Sequence, residues 1–265
     1  MRVTPVGAAG PGPAAIREVA ALGPYFAFEV HEEREESERP RGAAGSRWRP
    51  VVELLDPGAP AFAERVAAVR GGLVAGSGRA PEELEKRVAV SVAHLGLVAR
   101  LLSPLLGCAA VLGHAPAAVG AREGESLMWQ PELGGGFPLS ISRRALAETA
   151  SLHGAVVEGV LEPLEERARR MSVSARVVRG NAASAVDGAA RAAAASGSPH
   201  AGRVGELAAE LLEHPYFAGA FTRGSGSASA SGSGRFRRRS CCLIYRAAPA
   251  RSPRAVCGDC VLLKP

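Results

Sequence analysis

Four thiols crowd the end of this chain. Two are adjacent in Arg237-Arg238-Arg239-Ser240-Cys241-Cys242-Leu243-Ile244-Tyr245-Arg246, and fourteen residues later Val256-Cys257-Gly258-Asp259-Cys260 adds a second pair. Cysteines grouped in this way bind a soft metal, hold an iron-sulfur centre or cross-link. A zinc ribbon uses two spaced pairs that wrap one tetrahedral ion, whereas neighbouring side chains on extended backbone point to opposite sides. Cys241 and Cys242 therefore grip a single ion awkwardly and suit a centre with two metal atoms. That favours an iron-sulfur cluster and leaves zinc and plain thiol chemistry open. The flanking Arg238, Arg239 and Arg246 have three readings: cations that raise a cluster's potential, a dock for an acidic electron donor, or a solvated basic stretch.

The rest of the chain bounds these choices. With 265 residues, 47% of them hydrophobic, it can bury a proper core. The formal charge of +6 comes almost wholly from arginine, Lys86 and Lys264 being the only lysines. No nucleic-acid reading motif or stacking surface accompanies that charge, so no nucleic-acid partner is expected. The first residues lack the charged start and apolar run of an export signal. The longest apolar region, Val88 to Leu112, contains His94, Arg100 and Pro104, which suits buried helix better than membrane insertion. The expected location is cytoplasmic, where clustered cysteines are more often metal-binding or redox-active than cross-linked. Cys108, with leucines and alanines on both sides, reads as a small core residue.

The expected fold class is α+β: a mainly helical body, a small antiparallel sheet and a short C-terminal iron-sulfur segment. The division is an N-terminal region over 1–80, a helical body over 81–223, a Gly/Ser linker over 224–234 and the cysteine segment over 235–265. Helices are expected over Ala14–Leu22, from Arg79-Ala80-Pro81 to about Leu102, and from Ser103-Pro104 to Gly113, the proline dividing the last two. Asp56-Pro57-Gly58 splits two ordered elements, Trp48–Leu55 and Ala59–Val69. Strands are expected at Tyr25–Val30, and at Ser126–Gln130 and Phe137–Ile141, joined by Gly134-Gly135-Gly136. Arg143 to Met171 reads as helical, with Pro163 bending it or beginning a new segment, followed by helices over Ser174–Ala195 and Arg203–Glu213. His31 to Arg41 reads as a solvated charged loop. Gly180-Asn181 inside a helix is a local cost that close packing or a polar contact to a ligand would explain.

Arg239-Ser240-Cys241-Cys242-Leu243-Ile244-Tyr245-Arg246 with Cys257-Gly258-Asp259-Cys260-Val261-Leu262 resembles the C-terminal signature of the FhuF-type ferric siderophore reductases. Leu101-Leu102-Ser103-Pro104-Leu105-Leu106, Leu161-Glu162-Pro163-Leu164 and Gly180-Asn181-Ala182-Ala183 extend the likeness over roughly residues 85 to 263. The chain departs from the family in a longer spacing between Cys242 and Cys257, with Ala247–Pro253 as the insertion, and in Val160 and Arg179, where histidine and tryptophan are usual.

The resemblance implies a [2Fe-2S] cluster on Cys241, Cys242, Cys257 and Cys260, with no catalytic group beyond it. It implies one-electron reduction of Fe(III) in a siderophore, the hydroxamate class being the expected one. The hard donors of such a chelator hold Fe(III) tightly and Fe(II) poorly, so reduction releases iron. No dinucleotide fingerprint follows a strand, so the donor is expected to be an external protein such as a ferredoxin. Trp129, His153 and Asn181 are the candidates for a substrate pocket. The competing readings are an iron-sulfur redox sensor and a zinc-stabilised binding module without turnover.

Overall fold

The computed structural model describes residues 10–32, 47–75, 77, 79–118, 126–134, 136–224, 236–247 and 256–263. Most of the charged run after Glu32, the centre of the glycine turn, the Gly/Ser linker beyond Gly224 and the insertion beyond Ala247 lie outside them. In chain order the elements are α1 (Pro13–Ala20), β1 (Glu29–His31), β2 (Arg49–Pro50), α2 (Val52–Leu55), α3 (Ala61–Val74), α4 (Lys86–Leu112), β3 (Ala115–Pro116), β4 (Leu127–Trp129) and β5 (Leu139–Ser142). They continue as α5 (Arg143–Ala147), β6 (Thr149–Ala150), α6 (Glu162–Arg170), α7 (Ala175–Ser196), α8 (Ala201–Leu212), β7 (Phe221–Arg223) and β8 (Phe236–Arg238). The fold is α+β, mainly helical with small sheets.

Helix α4 is the axis of the body, packed by α7 and α8 and by α1 and α3. Its apolar residues do not form one stripe, because it is covered on several sides: Val90, Leu97, Leu101, Leu102, Leu105 and Leu106 are all buried. It is long and apolar enough to cross a membrane, and most of that stretch is buried among other elements of this chain.

Two sequence expectations are corrected here. Pro104 does not divide the region into two helices; α4 runs through it to Leu112 and stops at Gly113 in the left-handed conformation, with φ of 82°. Burial on all sides outweighs the one helical hydrogen bond that proline cannot make. Ahead of α4, Pro81–Glu83 forms a separate 3-10 turn, and the N–H of Ala80 just before it donates to the Glu83 carboxylate at 2.8 Å.

The second correction is at Arg143–Met171, which is not helical throughout, although a new segment does begin at Pro163. Glu148 is extended, Thr149–Ala150 pairs with Ala115–Pro116, and a wide π turn over Gly154–Leu161 leads into α6. Pro163 then sits in the first turn of α6, where its missing N–H costs nothing. The hydrogen bonds that β6 makes with β3 depend on a segment over thirty residues away and leave no mark in local periodicity.

The main sheet has the order β1-β5-β4-β2. The glycine turn joins β4 and β5 as an antiparallel pair, Leu127 opposite Ile141 and Trp129 opposite Leu139. β1 joins parallel to β5, shorter than the expected strand. Arg100 of α4 ties this end of the molecule together, donating at 2.6–2.7 Å to the carbonyls of Tyr25, Ala27 and Phe137. Arg65, Arg100, Arg167 and Arg238 are all buried, so a share of the formal positive charge is interior and adds little to a surface field.

Candidate metal centre

The cysteine segment is docked by β8, which pairs antiparallel with β7: Phe221 opposite Arg238 and Arg223 opposite Phe236. The two ends of the Gly/Ser linker are thus held side by side. Beyond β8 the chain crosses α7 at Gly180. A Cβ on Gly180 would stand 2.1 Å from the Ser240 hydroxyl oxygen, nearer than any real contact. Ser240 itself donates to the carbonyl of Arg176 at 2.9 Å. The mid-helix glycine is therefore a packing requirement of the cysteine segment.

Asn181, the next residue, is fully buried and links three elements. Its amide donates at 3.0 Å to both the carbonyl and the hydroxyl of Ser91 on α4, and its oxygen accepts from Arg238 at 3.1 Å. Ser91 in turn donates to the carbonyl of Cys242 at 2.8 Å. Arg238 donates to Asp259 at 3.1 Å, and its Nε lies 3.1 Å from the other carboxylate oxygen as an ion pair. Ser184 of α7 also donates to Asp259, and the Asp259 carbonyl accepts from the Arg238 backbone at 3.0 Å. One buried chain, Cys242–Ser91–Asn181–Arg238–Asp259, thus fastens both cysteine pairs to the body. Sequence reasoning missed Ser91, Ser184 and Asp259. Asp259 stood inside the Cys-Gly-Asp-Cys motif, but nothing local marks the two serines.

Thiols of the two segments meet. Cys242 Sγ lies 3.1 Å from Cys257 Sγ, well beyond the roughly 2.05 Å of a disulfide. Cys242 and Cys260 are almost wholly buried, while Cys241 and Cys257 are partly exposed. The backbone N–H of Leu243 donates to Cys241 at 3.3 Å and that of Leu262 to Cys260 at 3.4 Å. Leu243 achieves this in the left-handed conformation, φ 68°, which is uncommon for a branched side chain. The Cys242 thiol is drawn down to about 5, first by its bond from Cys257 and then, against the opposing effect of burial, by the Ile244 amide and Arg238. Burial pushes the Cys241 thiol up to about 11. Among the described residues, no three His, Cys, Asp or Glu side chains close around a single ion position.

The remaining candidates fall in different places. Arg238 is buried among Asn181, Asp259 and the thiols, facing Cys242 and Cys257. Arg239 is exposed, and Arg246, also exposed, forms an ion pair with Glu85 at 2.6 Å that ties the Ile244–Arg246 turn to the entrance of α4. Leu243 and Ala247 pack there against Val74, Leu84 and Val88. Trp129 is in the sheet core, edge-on to Phe137 at 6.0 Å. His153 lies against His214 with ring centres 5.4 Å apart. Asn181 belongs to the strut beneath the cysteines. Cys108 is fully buried, and desolvation pushes its thiol up to about 12.

No family model matches this chain, and neither does any curated protein or solved structure.

Proposed function

We propose that this chain is an iron-sulfur ferric siderophore reductase that works in the cytoplasm. The observation that carries the electron-transfer part is the meeting of thiols from two separate segments, with 3.1 Å between Cys242 and Cys257, over a buried arginine. The donor set fits a [2Fe-2S] cluster: four thiols in two neighbouring groups, with amide donors on Cys241 and Cys260. Two sulfurs on one tetrahedral metal stand about 3.7 Å apart, so the closest pair needs only a small opening.

When bound, the cluster supplies a one-electron couple. The chain's own residues do the rest. Arg238 and the two amides stabilise negative charge on the sulfurs and so favour the reduced state. Cys242 and Cys260 keep water from the inner side, and the partly exposed Cys241 and Cys257 give electrons a short way in and out. The substrate class rests on the resemblance of the Arg239–Arg246 and Cys257–Leu262 motifs to the FhuF-type reductases. An external one-electron donor such as a ferredoxin would complete the cycle, one electron converting each chelated Fe(III) to Fe(II).

The test is anaerobic purification with iron and sulfide analysis, visible and paramagnetic resonance spectra, dithionite reduction and then addition of a ferric hydroxamate. Two irons and two sulfides per chain, and re-oxidation by the chelate with Fe(II) released, are expected. Zinc without sulfide would refute the reading. A reducible cluster that no ferric chelate re-oxidises would point to a redox sensor.

A further inference from the structure

The two cysteine motifs invite a simple division in which Cys241 and Cys242 serve one metal atom and Cys257 and Cys260 the other. The side chains are arranged otherwise. Cys242 turns inward, its carbonyl held by Ser91 at 2.8 Å, while its neighbour Cys241 is partly exposed. In the second motif the Cys260 amide closes a turn onto the Cys257 carbonyl at 3.0 Å. That turn leaves Cys257 partly exposed and Cys260 almost wholly buried. The short contact runs between the motifs, from Cys242 to Cys257 at 3.1 Å. That contact leaves Cys241 and Cys260, again one thiol from each segment, as the second pair. Each group thus takes one thiol from each segment, one of them buried and the other partly exposed.

We propose that the ligands cross over, Cys242 and Cys257 holding one iron and Cys241 and Cys260 the other. This rests on the electron-transfer reading above and sharpens it. Neither segment then carries a complete iron site, so metal binding requires both to be docked by the Ser91, Asn181, Arg238 and Asp259 strut. Arg238 faces Cys242 and Cys257, which places the buried cation beside one iron and makes that iron the favoured seat of the added electron.

Two arms test this. In the first, iron-free protein kept under reducing conditions is desalted without oxygen and treated with limiting diamide. The reagent takes two electrons and two protons from a pair of thiols and is itself reduced to the hydrazine. Alkylation, digestion and mass spectrometry then identify the bridge. Cys242–Cys257 should form first, with Cys241–Cys260 the second product. A dominant Cys257–Cys260 bridge would overturn the pairing.

In the second arm, wild-type protein and the four single Cys→Ser variants are reconstituted with enriched ferrous iron and sulfide and compared by Mössbauer and paramagnetic resonance spectroscopy. Cys242→Ser and Cys257→Ser should perturb the same iron, Cys241→Ser and Cys260→Ser the other. Grouping of the variants by motif instead would overturn the crossover, and if the variants fail to load iron the diamide products decide. Wild-type protein that takes up no sulfide would sink the electron-transfer reading and the crossover with it, and this is seen before any variant is made.

Discussion

Replacing Arg238 with methionine removes the only cation in the strut while keeping a side chain of similar length. Arg238 is 1% exposed and Asp259 8%, so neither charge has water to fall back on. The substitution leaves a buried carboxylate with Ser184 as its remaining side-chain donor among the described residues, and it leaves the Asn181 oxygen without its donor at 3.1 Å. Removing one member of a buried ion pair costs about 3–5 kcal/mol, and an orphaned buried acceptor adds about 1 kcal/mol. A loss of about 4–6 kcal/mol is comparable with the whole stability of many domains, roughly 5–15 kcal/mol. The chain has a less costly response, which is to release the two cysteine segments and leave the α4, α7 and α8 packing intact. Hydrogen exchange read by mass spectrometry on 236–247 and 256–263, beside urea unfolding of the iron-free protein, separates the two responses. Protection should collapse in both segments. Asp259→Asn alone should also destabilise, by stranding the arginine. The Arg238→Met/Asp259→Asn double variant should lose less than the sum of the singles, because no buried charge is left unpaired. Full protection in Arg238→Met, or strict additivity in the cycle, would refute the strut.

Three further perturbations probe other parts of the argument. Gly180→Val should cost about 1–3 kcal/mol and lower iron loading, since the 2.1 Å approach of Ser240 leaves no space; a Ser240→Gly companion should recover part of both, measured by urea unfolding and iron analysis. His94, fully buried and without a hydrogen-bond partner among the described residues, has its pKa lowered to about 3 by desolvation. Its folded value lies below the unfolded one of 6.5, so its contribution is present above that value and lost as pH falls toward 3. The slope is about 1.4 kcal/mol per pH unit. A His94→Leu variant should lose correspondingly less stability between pH 6 and pH 5, and parallel curves would contradict this. Cys108→Ala should leave the visible spectrum of the loaded protein unchanged and cost about 1 kcal/mol, whereas a changed spectrum would make Cys108 part of the centre.

What the sequence disclosed follows the range of the forces involved. The β4–β5 pair and the helices α7 and α8 are encoded in residues a few positions apart: a glycine turn, a left-handed glycine stop at Gly197, apolar spacing. The long helix through Pro104 and the strand at Thr149–Ala150 were not legible, because each depends on what packs against it from elsewhere. The centre divides in the same way. Four cysteines and their spacing announced thiol chemistry, yet adjacency alone could not say which sulfur meets which. That is set by Ser91, more than a hundred residues upstream of the cysteines, and by Asn181, whose awkward place after a mid-helix glycine was the visible trace of the docking. A residue that breaks its own element's preferences without local compensation is compensated at a distance. In this chain Gly180-Asn181 and Leu243 are such residues, and all three touch the cysteine segment or lie within it. Local strain and tertiary function therefore coincide at the site where the thiols are brought together, which is why the same residues are the sharpest places to test it.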